Sequence, residues 1–539
     1  MAFVENTNHQ LTFDDSFFGL TEREKSFLLK SWAKPFADVI FPAINEKPFA
    51  VLYSNLDATR PNTPVNVIIG ALILKEALVL TDDEVLESLM FDIRFQYALH
   101  TTSFKEQPLS DRTLSRFRER CLAHEAETGE DLIKDCITSL SAEISTVMGV
   151  NGNIKRMDSM MVASNIKRLS RLELLYLCTA NLVKLLNKEN EDIPEGLKHY
   201  IDSNDQNKVI YHTRSTDINE KIRIVLDDAS ILLVKCSDRY EDSKEYKLLV
   251  RAISEQTTSD ENGVLNLKDG NDKSMDSEIL QNPADPDATY RFKAGKQHRG
   301  YVANLVEDVS ENGSVISDYD YQANTYSDSK FLKDTIESLD KQEEPITILA
   351  DGAYSGEENK ELAKDKSINL INTNFLGSKP DDLFAEFEFS ENGKKVLKCA
   401  GGQEPITCVY YASQEQCRIT LNREICDKCP HKEQCKPKFH KTKTSKTVSH
   451  KTVNRAKQLR HMKTSEFKEF AKIRNGVESL PSTLRRKYRV DKMPVRGKLK
   501  TKLFFGFKIA SMNFNKLLNF MAFKDNCAQK QRICTSYAQ

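Results

Sequence analysis

No stretch of about 18 consecutive apolar residues, the length a membrane-crossing helix needs, occurs in the 539-residue chain. The opening segment, MAFVENTNHQLTFDD, lacks the basic then apolar order of a secretory signal. These two absences argue against a membrane protein and set the expected location as the cytoplasm. A surplus of one charge is missing too, because 78 Lys and Arg stand against 79 Asp and Glu, for a net charge of −1. That excludes a uniformly basic chain but not a locally basic one. No convincing Ser-His-Asp or Cys-His arrangement is present either, so chemistry through a protein nucleophile is not indicated.

The length exceeds what one hydrophobic core supports, and about 150 residues per domain gives roughly three or four units. From Lys436 to Lys508 basic residues outnumber acidic ones roughly five to one, whereas EDSKEYK, DGNDKSMDSE and NPADPDAT are acidic or polar. A chain so divided is near neutral in sum and still able to bind a polyanion. A solvated lysine-rich surface gives the same pattern. Six of the 12 cysteines fall between Cys399 and Cys435, and in a reducing compartment such clustering points to metal before disulfide.

Residues 1–125 read as helical, with apolar periodicity in PVNVIIGALILKEALVL and DDEVLESLMFDIRFQYAL. In LSDRTLSRFRERC, Ser110 is an N-cap candidate, and Arg112 and Arg116 lie one turn apart on one face. That pattern suits either a DNA-docking helix or an ordinary surface helix. A strand is expected around Ile154 to Val162, with Asp158 in its middle, then a helix through Ile166, Leu169, Leu172 and Leu175 and a second helical run over 223–253. A polar linker follows near 256–289. GYVANLVEDV and SVISDYDYQA form a hairpin around SENG, SKFLKDTIESLDK a helix, and PITILADG an apolar strand. This order predicts a mixed α/β sheet with a parallel crossover. Residues 378–470 read as a cysteine-containing insertion, and a helix resumes over KEFAKIRNGVESLPSTLRRKY.

Three acids stand out by position: Asp158 within the first strand, Asp351 at the end of the later one, and Glu478 in a basic helix. Asp351 also fits a turn, because Asp-Gly commonly ends strands. Pro481, three residues after Glu478, is tolerated only near a helix start, so Glu478 is expected at a helix start or a kink. In LKCAGG and ICDKCPHKEQCK, Cys399, Cys426, Cys429 and Cys435 could close a tetrahedral, structural Zn²⁺ site. Cys408, Cys417, His431 or His440 could replace one ligand, and an iron–sulfur cluster or free thiols stay open.

RMDSMMVASN, GKQHRGYVANLVEDVSENG and ILADGAYSG, together with ATRPNTPVNVIIGALILKEALVLTDDEVLESLMFDIRFQYAL and PLSDRTLSRFRER, resemble the motifs of bacterial insertion-sequence transposases of the Asp-Asp-Glu class. RNGVESLPSTLRR resembles their signature Y-x-x-R-x-x-x-E-x-x-x-x-x-x-K at Arg474 and Glu478, with Ala471 in place of the tyrosine and Arg485 in place of the lysine. The resemblance implies a ribonuclease-H-like α/β core with helical and cysteine-rich insertions behind an all-helical DNA-binding domain. It implies Asp158, Asp351 and Glu478 as catalytic ligands of two Mg²⁺ ions, with Mn²⁺ as the alternative ion, and a comparable cysteine pattern. Hard carboxylate oxygens are what Mg²⁺ prefers, and two ions suit phosphodiester cleavage and strand transfer.

The expected organisation is a DNA-binding domain over 1–125, core over 148–165 and 290–377, helical insertion and linker over 166–289, cysteine insertion over 378–470, C-terminal core helices over 471–525 and a tail over 526–539. Expected DNA contacts are Arg112, Arg116, Lys293, Lys296, Arg299, Arg474, Arg485 and Arg486, on double-stranded transposon ends and target, with a homodimer pairing the ends. Two alternatives stay open: a metal-dependent nuclease on the same core, and a non-catalytic DNA-binding repressor.

Overall fold

The computed structural model describes residues 1–6, 15–54, 60–104, 106–211, 214, 216–259, 265–269, 272, 275–293, 295–340, 344–374 and 379–536. The chain divides into two units, one of Met1–Asn153, Asp158–Phe331 and Ser479–Gln539, the other of Ile154–Met157 and Leu332–Glu478.

In the first unit the helix Val65–Leu78 is buried on every side from Val65 to Ala77, because VNVIIGALILKEAL is apolar around its whole circumference rather than along one stripe. It packs against the helix Lys498–Ser536. There Ser511 donates to the Ile73 carbonyl at 2.8 Å, and the buried Lys508 ammonium is paired with Glu76. Each fully buried Leu or Ile in such a contact contributes about 1.5–3 kcal/mol over exposure. The helix Asp111–Thr128 starts at Ser110 and stops at Gly129, whose φ of 81° lies in the left-handed region that ends helices.

Three further helices, Arg171–Lys188, Ile218–Cys236 and Lys244–Gln256, share a core around Leu175, Leu182, Leu226, Leu232 and Leu249. The sequence periodicity ran from Ile166, but the helix begins at Arg171, because the Ser170 hydroxyl accepts from Glu173 N at 3.2 Å. The run read over 223–253 is two helices, since Ser243 caps the second through Tyr246 N.

Strand β1 (Ile154–Ala163) belongs to both units by its residue ranges. In the first unit β2 (Thr289–Lys293), β3 (Lys296–Ser310) and β4 (Gly313–Ala323) accompany it in the order β2-β3-β1, with β4 also on β3. The β2-β3 and β3-β4 pairs are antiparallel. Gly300, at φ 141°, is needed where β3 runs against β1, because a Cβ would overlap the Val162 carbonyl and the Ser164 amide. Asn513 satisfies the backbone of β4: its Oδ1 accepts from Ile316 N at 2.9 Å and its Nδ2 donates to Ile316 O at 2.8 Å.

The second unit holds β1 residues Ile154–Met157 beside β5 (Ile346–Ala350) and β6 (Ile368–Asn372), all parallel. The helix Glu357–Asp365 makes the β5-to-β6 crossover. Parallel and antiparallel pairs together give a mixed α/β protein, as the order of elements predicted. A separate antiparallel sheet follows, of β7 (Thr407–Tyr411), β8 (Gln416–Asn422), β9 (Lys438–Phe439) and β10 (Lys443–Val448) in the order β7-β8-β10-β9. The helices His450–His461 and Ser465–Asn475 complete this unit.

Candidate catalytic acids, cysteine pocket and basic surfaces

Asp351 stands directly after β5, whose residues Ile348, Leu349 and Ala350 are fully buried. It does the work of a cap: Oδ1 accepts from Gly352 N at 2.6 Å and from Asn374 Nδ2 at 2.8 Å. Both bonds go to one oxygen. Asn372 donates to the Asp351 carbonyl at 3.2 Å. Sequence reasoning missed both asparagines, whose signal was polar residues closing an apolar strand in INTN.

Asp158 lies mid-way along β1 and is half-buried. Its Oδ1 accepts from Ser159 N at 3.1 Å. Ser159 points the opposite way, as strand alternation requires, and donates to the buried Asp328 at 2.7 Å. In the second unit β1 pairs with β5 through Ile154 and Thr347, Lys155 and Ile348, and Arg156 and Leu349. Asp158 follows Arg156 by two residues, and Asp351 follows Leu349 by two.

Glu478 is not inside a long helix. It closes a 3-10 turn, Gly476–Glu478, between the helices Ser465–Asn475 and Ser479–Arg486. Pro481 falls in the first turn of the second helix, the one place where its missing N–H costs nothing. The Glu478 side chain is 64% exposed and its Oε1 pairs with the Arg474 guanidinium at 2.9 Å, while Arg474 itself is buried. Arg474 thus serves Glu478 rather than presenting itself to solvent. Arg156 donates to the Ile473 carbonyl, three residues before Gly476, a residue the sequence reading did not single out.

The four expected cysteines line one pocket, together with Ala400, Gly401, Leu421, His431 and Lys432. Cys399 and Cys426 are buried. A Cβ on residue 401 would touch the Cys429 sulfur at 3.0 Å and the Cys399 sulfur at 3.9 Å, so the glycine keeps room beside both thiols. Burial first, then the neighbouring Cys399, Cys435 and Cys429 thiols, push the Cys426 thiol up to about 11. Burial likewise raises the Cys435 thiol, with Cys399 and Cys429 adding to it and Lys446 opposing. Cys408 and Cys417 lie on β7 and β8, outside the pocket lining. Among the described residues, no group of three or more His, Cys, Asp or Glu is arranged to hold a metal ion.

The expected DNA contacts differ in freedom. Arg112 and Arg116 are exposed on the helix Asp111–Thr128 and line a pocket at its start. Lys293 reaches Asp328 at 3.6 Å, and Lys296 is exposed near the β2-β3 turn. Arg299 is tied to Gln281 at 3.1 Å and lies over the Tyr290 ring; burial and the nearby Arg168 lower its pKa. Arg485 pairs with Asp491 at 3.1 Å and donates to the Met161 carbonyl at 2.8 Å, whereas Arg486 is exposed.

Among the described residues no helix is long and apolar enough to cross a membrane. A family model described as "Transposase DDE domain" matches residues 398–518, a span that holds the four pocket cysteines, Arg474 and Glu478. A second, "Transposase domain (DUF772)", matches residues 29–120, a span that holds Arg112 and Arg116. Comparison with curated proteins and with solved structures returned no match. Over these two spans the chain is similar to transposase families.

Proposed function

We propose that the protein cleaves DNA at the terminal inverted repeats of its own insertion sequence and joins the freed 3′ ends to target DNA, on a ribonuclease-H-like core, with Asp158, Asp351 and Glu478 as the metal-binding acids. The observation that carries this reading is the β1-β5 register. Arg156 and Leu349 are register partners, and each is followed two positions later in the sequence by an aspartate, which supports Asp158 and Asp351 as members of one set. Glu478 fits the third role because it is exposed on a turn and already oriented by Arg474.

When bound, two Mg²⁺ ions, or Mn²⁺, activate water or a 3′-hydroxyl and stabilise the departing oxygen. The chain's own residues supply the rest. Gly352 N and Asn374 hold one oxygen of Asp351, which restrains a carboxylate that would serve as a ligand for a hard cation. Arg474 holds Glu478 in the same manner through one oxygen. Exposed Arg486 and Lys296 suit phosphate contact, and two ends to be joined call for a homodimer on double-stranded DNA.

A structural Zn²⁺ held by Cys399, Cys426, Cys429 and Cys435 is part of the same proposal, supported by the shared lining of one pocket and by the thiolate donor set that such an ion takes. Zinc there would tie the segments around residues 399, 426 and 435 together.

Incubating the protein with Mg²⁺ and duplex DNA carrying the inverted ends that flank its gene tests the reading. Joined products are expected. Cut or nicked fragments alone would leave a nuclease, and retained intact DNA would leave a repressor.

A further inference from the structure

The start of the helix Asp111–Thr128 borders a pocket lined by Tyr53, Ser110, Arg112, Thr113, Arg116 and Arg120. The three arginines recur every four residues, so they share one helix face across two turns. Arg118, on the opposite face, is gripped through both carboxylate oxygens of Asp82, at 2.6 and 2.8 Å. None of the three pocket arginines has such a carboxylate among the described residues. Arg120 instead lies over Tyr53, its guanidinium carbon 4.9 Å from the ring centroid. At the rim the Ser110 and Thr113 hydroxyls stand 2.9 Å apart.

Three like charges gathered without a paired carboxylate among the described residues repel one another, and the helix N-terminus adds further positive potential. The lining therefore offers hydrogen-bond donors and positive charge to one small space, which is what an oxyanion with several acceptor oxygens requires. We propose that this pocket takes one phosphate of a DNA backbone, and that the helix Asp111–Thr128 clamps the backbone rather than reading base edges. Arg120 and Tyr53 form the fixed floor, and Arg112 and Arg116 close on the phosphate. This rests on the protein acting on DNA, and it replaces base recognition by this helix with positioning that is blind to sequence.

The test uses the full chain and two labelled duplexes, one carrying the terminal repeat and one of random sequence, titrated over a salt series. Arg116→Gln and Arg112→Gln are expected to weaken both duplexes by the same factor, roughly tenfold near 0.1 M salt, and to make the salt slope shallower by about one. Arg116→Lys should keep the slope, and Lys188→Gln, which removes an exposed charge elsewhere, should change nothing. Both pocket arginines are exposed, so unchanged melting temperatures are expected. Loss confined to the terminal-repeat duplex would assign the helix to base readout and overturn the proposal, as would an unchanged slope. Inorganic phosphate that raises the melting temperature of the wild type but not of Arg116→Gln, with DNA binding unaffected, would assign the pocket to free phosphate and overturn it too. Failure of the wild type to bind either duplex would instead sink the DNA reading on which the proposal rests.

Discussion

The Arg156 guanidinium donates to the Ile473 carbonyl at 2.6 Å, across 317 positions of sequence. Gly476 lies against that guanidinium, and a Cβ there would overlap it. The backbone at 476 has φ −59° and ψ −25°, ordinary helical values, so its glycine is there for room and not for conformation. Arg156 shares a strand face with Asp158, and Gly476 precedes Glu478 by two residues.

Gly476→Ala is therefore expected to separate stability from activity. Alanine gains about 1 kcal/mol in helical backbone, and displacing Arg156 loses a hydrogen bond of about the same size. Denaturant unfolding should shift by no more than about 1 kcal/mol while DNA cleavage falls at least roughly tenfold, the effect of a small misplacement of a catalytic group. Wild-type cleavage by a folded Gly476→Ala protein would remove Arg156 from any positioning role.

A second expectation concerns acid stability. Burial works to raise the Asp82 pKa, but the hydrogen bonds and charge of Arg118, with Lys75, outweigh it and bring the carboxyl down to about 2. A depressed pKa contributes stability above the unfolded value and loses it as pH falls. The contribution should thus be complete above the ordinary value of 3.8 and disappear between there and about 2. Asp82 is partly exposed, so its size is on the order of 1 kcal/mol. Urea unfolding of wild type and Arg118→Ala at pH 5 and pH 2.5 checks this: the difference between them should narrow at the lower pH. A gap that widens on acidification would contradict it.

Metal analysis addresses the cysteines. Protein purified without chelator should carry one zinc per chain, Cys429→Ser should lose it and melt at lower temperature, and Cys408→Ser should keep it. A zinc-free wild type, or retention by Cys429→Ser, would contradict the assignment.

Much of this was legible where the determinants are local. The strand ending at Asp351, the β3-β4 hairpin and the helix Asp111–Thr128 each follow from periodicity and end signals within a dozen residues. The two breaks that were misplaced, before Arg171 and between Cys236 and Lys244, depend on serine caps embedded in apolar periodicity, which reads through them. The turn at Glu478 was foreshadowed by Pro481. What could not be read was long-range: no local pattern pairs Arg156 with Leu349 or aims its guanidinium at Ile473. Nor does sequence tell that Arg474 pairs with Glu478, while among the described residues no carboxylate pairs with Arg112 or Arg116.

The most direct test of the proposed catalytic acids is whether they act as one unit. Cleavage rates on duplex carrying the inverted ends, with Mg²⁺, would be measured for Asp158→Asn, Asp351→Asn and Glu478→Gln singly and in pairs. Each single change should cost about 10³-fold or more, equivalent to about 4 kcal/mol, and a second change should add little, since ligands of one shared site fail together. A single variant that cleaves at the wild-type rate, or paired losses that multiply as for independent sites, would contradict the account.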